Sequence, residues 1–270
     1  MPPAWSQVPL VVTLHDLNHL HHYSKAHALY YKLVMKPLYR HCSAIICVSN
    51  FTRDELLNWS GASPDKVFTV HNAVAFDRFA EGPKSELGFP YVLYVGNRRS
   101  YKNLERLFHA FAATSLPREG VRLVLTGRPD TPLLTLAAHC NIEATLHFAG
   151  DVSDEQLAPL YRGARLLAFV SLYEGFGLPI LEAMAASIPV LTSNVTAMPE
   201  IAGNAALIVN PTSVEEIAGG LERLSTDENL RRELVRLGRL RAAGFDWNTA
   251  AEATWDIVRA AHGQARTSAA

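Results

Sequence analysis

Nine short runs of apolar and β-branched residues punctuate the chain: VPLVVTL, SAIICVS, KVFTV, YVLYVG, VRLVLTG, ATLHFAG, ARLLAFVS, IPVLTS and AALIVN. Between them, LERLFHAFAAT, SDEQLAPLYRGA, PILEAMAAS and SVEEIAGGLERL place apolar residues at helical spacing, and several open on Ser, Asp or Pro in capping positions. Strand-like runs alternating with amphipathic helices predict βα units around parallel sheets, an α/β fold. The stretch NAVAFDRFAEGPKSELGFP breaks this rhythm with Gly, Pro and charge, which puts a domain boundary near residues 80 to 90. The expected division is 1–82, 83–245 and a last helical segment, 246–270, returning toward the first domain. Three strand-like runs precede the boundary and six follow it. A complete nucleotide-binding half ordinarily has five or more strands, so the first domain is expected to be incomplete.

Composition narrows the class without deciding it. At 270 residues with 49% hydrophobic and 19% charged residues, the chain has the makeup of an ordinary globular protein, large enough for a sizeable core. A formal net charge of −1, from 25 basic and 26 acidic residues, gives no global field to gather nucleic acid, so any anion site must be local. Cys42, Cys47 and Cys140 are odd in number and lack C-x-x-C spacing, which argues against a disulfide framework or zinc ribbon and for a reducing cytosol. The first thirty residues hold no basic segment followed by an apolar one, and no apolar run approaches the roughly 20 residues of a membrane helix. The expectation is a chain neither secreted nor membrane-spanning.

Candidate chemistry concentrates at the ends of the strand-like runs. In LLAFVSLYEGFGLPILEAMA, Glu174 follows a buried-looking strand and lies at the carboxyl end of a parallel strand, where open α/β sheets bind ligands. Gly175, Phe176, Gly177 and Leu178 form the turn, with glycines where backbone can approach a ligand and Pro179 suited to a first helical position. The amides of Gly177 and Leu178 would open a helix able to attract phosphate, and Glu182 would offer a carboxylate to ribose hydroxyls. On charge alone, the two glutamates read as a turn cap and a helix-dipole partner contributing about 0.3–1 kcal/mol. The whole string changes that weighing. EGFGLPILEAMA, followed by PV and PEIAGNAALIVNP, resembles the retaining, nucleotide-sugar-dependent glycosyltransferases of family four, whose E-x7-E signature Glu174 and Glu182 match. The resemblance extends from VVTLHDLNHL to near the C-terminus.

This resemblance implies a GT-B fold of two Rossmann-like domains, here with an abbreviated first one. It implies transfer of a hexose, with mannosyl and rhamnosyl transferases the nearest in character, from a nucleotide diphosphate sugar to a saccharide or glycolipid hydroxyl, with retention and without a metal or other cofactor. Glu182 is then the ribose anchor and Glu174 the contact to the sugar near the reacting centre. In YVLYVGNRRSYKNLERL, Gly96 ends a strand and Arg98, Arg99 and Lys102 cluster before a helix. The family places basic residues here on the donor diphosphate; Lys102 matches, Asn97 stands where an arginine often does, and Arg98 is favoured over Arg99. LTGRPD and FAGDVSDEQ supply Gly127, Arg128, Gly150, Asp151 and Val152 near the nucleotide base, with tight βα turns as the competing reading. His15, with Asp16 after the first strand, matches a family histidine that contacts the donor sugar. Ser49 or Asn50 reads as a helix cap, and VHNAV carries Ala73 where the family has glycine, which affects the turn leading out of the first domain.

Six of the 11 histidines fall between positions 15 and 41, and HLHH invites a metal site, but no Cys or carboxylate stands at ligand spacing. The neighbouring YSKAHALYYKLVMKPLYRH suits an acceptor or membrane-facing surface, so contact at the inner face of a membrane is expected alongside a cytoplasmic location. Two other classes compete with an active transferase. A pared first domain suits a non-catalytic or partner-dependent nucleotide-sugar binder, and its exposed strand edges suit a homodimer. An epimerase or phosphorylase of the same fold is less favoured, the phosphorylase for lack of a cofactor-lysine context.

Overall fold

The computed structural model describes residues 8–268. They form two compact units, one comprising residues up to 73, 174–176 and from 245 onward, the other 74–173 and 177–244.

The first unit is built on a three-stranded parallel sheet in the order β1 (Val11–Leu14), β2 (Ala44–Cys47), β3 (Val67–Thr69). Central β2, AIIC, is buried at every residue, as a parallel strand covered on both faces must be. Edge strand β1 is only partly covered and Thr13 is exposed. The β1–β2 crossover is a broken helical run: α1 (His19–His22), α2 (Lys25–Tyr30), a π-helical turn Tyr31–Met35 and α3 (Lys36–His41). The β2–β3 crossover is α4 (Asn50–Ser60), capped by the Ser49 hydroxyl, which accepts from the Thr52 amide, and closed by Gly61 at φ 66°. Leu14, Leu17, Tyr39, Ile45, Leu56 and Val67 form its core.

The second unit opens with α5 (Phe76–Ala80) and holds a six-stranded parallel sheet. In chain order its elements are β4 (Tyr91–Tyr94), α6 (Leu104–Ala113), β5 (Arg122–Leu125), α7 (Thr131–Cys140), β6 (Leu146–Phe148), α8 (Asp154–Gly163), β7 (Leu166–Phe169), α9 (Leu178–Ala185), β8 (Val190–Ser193), α10 (Met198–Ala202), β9 (Leu207–Val209), α11 (Val214–Thr226) and α12 (Glu228–Ala243). The spatial order is β6-β5-β4-β7-β8-β9. Numbered within the unit this is 3-2-1-4-5-6, the doubly wound nucleotide-binding order, with its switch point between β4 and β7. Strands β4, β7 and β8 are buried throughout. The chain ends on α13 (Trp247–Ser268), which packs with β2 in the first unit.

All nine expected strands form, three and six, in α/β architecture. The division between the units falls at 73/74, not within 80–90. Phe79 stands edge-on to buried Tyr161 with ring centroids 5.6 Å apart, and the Arg162 guanidinium donates to the carbonyls of Arg78, Phe79 and Pro83 at 3.0, 3.1 and 2.8 Å. These bonds bind the segment expected to be a linker into the second unit. At the other end Phe245 joins the first unit, its ring 5.6 Å from His71. Helix α7, which the apolar pattern did not flag, starts where Asp130 caps the Leu133 amide and stops at Asn141, φ 56°.

Candidate functional site

In the second unit, the switch point between β4 and β7 organises the site. Gly96, just past β4, has φ 147°, and a Cβ there would press to 3.1 Å on the Tyr94 hydroxyl, which donates to the Asn97 carbonyl at 2.5 Å. The following loop turns through Ser100–Lys102, with the Lys102 amide donating to Arg99 at 2.8 Å. Asn103, at φ 62°, then anchors the loop, its amide donating to Val170 and Pro211 carbonyls at 2.9 and 2.7 Å. The Leu172 amide reaches back to the Tyr101 carbonyl at 2.7 Å. The result is a lysine held inside the fold: Lys102 is 9% exposed, with its ammonium 5.4 Å from the ring centroids of both Tyr101 and Phe169, the last residue of β7. Burying such a cation costs free energy unless other groups compensate it, and two aromatic faces do part of that.

Beside this lysine, still at the carboxyl edge of the sheet, is a cavity of about 580 Å³ lined by Gly96, Arg98, Thr126, Gly127, Gly150 and Val152, among others. Gly127 and Gly150 bridge, the amide of one donating to the carbonyl of the other at 2.8 Å. Both have positive φ, 88° and 72°, so the pinch between β5 and β6 depends on glycine at these two positions. Arg98 is already engaged: it donates to Asp130 Oδ2 at 2.5 Å and lies 5.2 Å over the Phe148 ring. Burial raises the Asp130 carboxyl, but the Leu133 amide and Arg98 outweigh it and hold it below its ordinary range. Arg99 is exposed, and Arg128 pairs with Asp151 at 2.7 Å on the surface. The three arginines therefore differ: Arg98 is fixed to the cavity wall, whereas Arg99 and Arg128 stand in solvent.

The turn after β7 divides between the units. Residues 174–176 belong to the first, where the carbonyl of buried Gly175 accepts from the Ser49 and Thr52 hydroxyls at 2.7 and 3.0 Å. A Cβ at Gly175 would collide with the carbonyl oxygen of His15. The E-x7-E turn and the end of β1 thus meet backbone to backbone, and Glu174 and His15 are brought to one place. Phe176 is buried against Phe245, centroids 6.0 Å apart. Asp16, whose carboxylate accepts the Asn18 amide at 3.0 Å, is spent on a local turn.

Gly177, at φ 103°, resumes the second unit and leads into α9 with Leu178 and Pro179 at its start. Glu182 lies in the second turn of α9. It is half-buried, and its Oε2 accepts the hydroxyl of fully buried Tyr161 at 2.7 Å. Burial raises the Glu182 carboxyl above its ordinary value, while the Tyr161 hydrogen bond and the Arg78 charge pull the other way.

The sequence reading missed the partners that hold these residues. Asp130, Asn103, Tyr161 and the Ser49–Thr52 pair all act across long chain separations; only Asp130, ahead of Thr-Pro and an apolar run, and Ser49, which the sequence already marked as a cap, carry a local helix-cap signature. Histidines 19, 21 and 27 are each engaged separately. His19 is buried and stacked on Tyr31, His21 bonds Glu55 and His27 bonds Ser24. Among the described residues no group of three or more His, Cys, Asp or Glu is placed to hold a metal ion, and no helix is long and apolar enough to cross a membrane.

Residues 76–241 match the family model for glycosyl transferases group 1, and residues 1–78 match that for glycosyltransferase family 4. The chain belongs to the group 1 glycosyltransferases. It is 30% identical over 253 residues to O-antigen chain mannosyltransferase B of Escherichia coli, covering 88% of this chain and 66% of that one. It is 31% identical over 230 residues to the serotype-specific mannosyltransferase WbdA of Escherichia coli, covering 78% and 28%. This glycosyltransferase chain thus spans just under two thirds of the first relative and under a third of the second. Among solved structures, it superimposes on Anabaena HepE in complex with UDP and glucose with a TM-score of 0.83 at 19% identity, over 93% of this chain and 72% of that one. That likeness identifies the fold as GT-B.

Proposed function

We propose that this group 1 glycosyltransferase transfers a hexose, mannose-like, from a nucleotide diphosphate sugar to a hydroxyl of a saccharide or lipid-linked acceptor, with retention at the anomeric carbon and without a metal. The observation that carries the reading is the buried Lys102 at the switch point of a 3-2-1-4-5-6 sheet, beside an open glycine-walled cavity. A cation fixed where strand order reverses is suited to a diphosphate. The mannosyl assignment leans on the names of the E. coli relatives, both mannosyltransferases.

In this reading the nucleotide base enters the cavity walled by Gly127, Gly150 and Val152, with Arg98 held in its wall. Ribose hydroxyls donate to Glu182, which Tyr161 orients. Lys102, with the Gly177 and Leu178 amides at the start of α9, stabilises charge developing on the departing diphosphate. Glu174 and His15 hold the sugar as its reacting carbon gains oxocarbenium character, and a leaving phosphate oxygen takes the acceptor proton on the same face. The bond to phosphate breaks as the bond to the acceptor oxygen forms, with a nucleoside diphosphate as the second product. Arg99 and Arg128 lie in solvent at the rim, where Asp151 offsets the charge of Arg128.

A panel of sugar nucleotides and candidate acceptors, run with the wild type, Glu174→Ala and Lys102→Ala, tests the reading. Transfer or donor hydrolysis by the wild type, lost in both variants, supports it. Nucleotide binding with neither reaction under any acceptor condition refutes it in favour of a partner-dependent binder. Peripheral contact with the inner face of a membrane is supported by exposed Leu29 and Leu33 beside Lys32 on the first unit's helical run, and a homodimer by the part-covered β1 edge. Vesicle flotation and light scattering test these two.

A further inference from the structure

A second cavity, of about 440 Å³, lies at the opposite edge of the second unit's sheet from Lys102. Its walls come from segments that lead into strands instead of out of them: Lys84 ahead of β4, Arg165 ahead of β7, and Ser187 and Ile188 ahead of β8. The start of α12 closes it with Glu228, Arg231 and Arg232. Five cationic side chains, Lys84, Arg162, Arg165, Arg231 and Arg232, line it against one carboxylate, Glu228. Nothing in the glycosyl-transfer reading uses any of them.

Helix ends do not absorb this charge. The C-terminal ends of α5, α8 and α9 contribute Ala80, Ala164 and Ala186 to the lining. Each helix end is equivalent to about −0.5 charge, so three of them and one glutamate offset about half of the five cations. Arg162 is the one clearly engaged in this way, through the carbonyls at the end of α5. Lys84 and Arg165 pair with no carboxylate among the described residues. Arg231 lies 3.6 Å from Glu228, and its Nε is buried without an acceptor. A buried guanidinium donor without a partner is costly, and natural folds rarely leave one where no ligand or water completes it.

We propose that this cavity is a binding site for a phosphate-bearing anion, separate from the donor site. Guanidinium groups from α12 and from the segment before β7 would grip phosphate oxygens bidentately. The volume is within the range of small-molecule sites. A free phosphate or diphosphate and the headgroup of an acidic phospholipid share this chemistry.

The probe is inorganic pyrophosphate titrated calorimetrically into the full chain, compared with an Arg165→Gln/Arg231→Gln double variant. Both proteins retain the donor site, so only the component lost in the variant counts. The expected result is at least a tenfold rise in the pyrophosphate Kd, with nucleotide affinity changed less than twofold as the control for folding. An Arg165→Lys/Arg231→Lys variant is expected to fall between the two. Pyrophosphate affinity that is absent in the wild type, or equal in wild type and Gln variant, overturns the proposal. With the calorimetric loss in hand, vesicles of phosphatidylglycerol assign the source: association lost in the Gln variant identifies a lipid headgroup, and unchanged association identifies a soluble anion.

Discussion

The two parallel sheets differ in how completely they are covered, and the difference separates what holds the molecule together from what makes it adjustable. In the second unit, β4, β7 and β8 are buried at every residue, and the switch point between β4 and β7 fixes Lys102 among aromatic rings. In the first, only β2 is fully buried, β1 is an edge, and the crossover above it is a broken helix carrying most of the chain's clustered histidines. A well-covered sheet can hold a buried charge in one place. A thin one meets the E-x7-E turn at Gly175, through a close backbone approach and two hydroxyl hydrogen bonds, and carries the clustered histidines, and so is the part that substitution and acid should disturb first.

The largest effect is expected at Lys102. Lys102→Ala removes the fixed cation from the site proposed to stabilise charge in the transition state, and mutagenesis of such donors costs roughly 10²–10³ in kcat. Steady-state kinetics beside nucleotide titration would separate the two units: kcat should fall by that factor while both sheets remain folded by circular dichroism. A fall in KM affinity alone, with kcat intact, would mean that Lys102 only binds.

Gly175→Ala strikes the other side of the comparison. The added Cβ collides with the His15 carbonyl and crowds Asp16, so the turn must withdraw from β1. Transfer should drop at least tenfold while nucleotide binding, which the proposed function assigns to the second unit, changes little. Loss of nucleotide binding to the same extent would show that the first unit's turn is not separable from the second unit's cavity.

Acid should likewise select the first unit. Burial, with the charges of His21 and His27, lowers His19 from 6.5 to about 4. Its folded-state value is below its unfolded one, so the unfolded chain binds the proton first, and stability falls as pH drops from 6.5 toward 4. The full effect is on the order of 3 kcal/mol. Hydrogen exchange at pH 5 against pH 7 should show faster opening in β1–β3 than in β4–β8, and His19→Phe should remove most of the difference. Equal acceleration in both sheets would place the acid-sensitive group elsewhere.

The nine strands were legible in the sequence because short uninterrupted apolar runs leave few other readings, and the glutamate turn was legible because its glycines and proline have fixed backbone roles. Strand order was not, since nothing local in YVLYVG or ARLLAFVS says that β4 and β7 are neighbours. Helix α7 escaped because TPLLTLAAHC is apolar nearly all round, with Leu134 left 48% exposed, so no clean face stands out. Arg98 read as a free cation because Asp130, its partner, is 32 residues away. Gly175 read as room for backbone to approach a ligand, whereas its observed constraint is the Ser49 hydroxyl 126 residues earlier and the His15 backbone beside it. Local chemistry pointed to the candidate residues, and distant partners decide what each residue is free to do.

The smallest expected effect is also the finest test of the second unit's rigidity. Tyr161→Phe deletes one hydroxyl from a buried ring and leaves the edge contact with Phe79 in place, so the fold should survive. What it removes is the hydrogen bond to Glu182 Oε2, which pulls that carboxyl down against the burial that raises it. Without it, Glu182 should titrate at higher pH still. A hydrogen bond to a charged group is worth about 1.5–3 kcal/mol at most, and water or the nucleotide will replace part of it. If Glu182 holds ribose as the charged acceptor, nucleotide affinity should weaken about fivefold near neutrality. The loss should grow as pH falls, because protonation of Glu182 begins earlier in the variant than in the wild type. The preference for a ribonucleotide over its 2′-deoxy and 3′-deoxy analogues should shrink together with it. A purely structural tyrosine would lower the melting temperature but leave the pH profile and the sugar preference where they were.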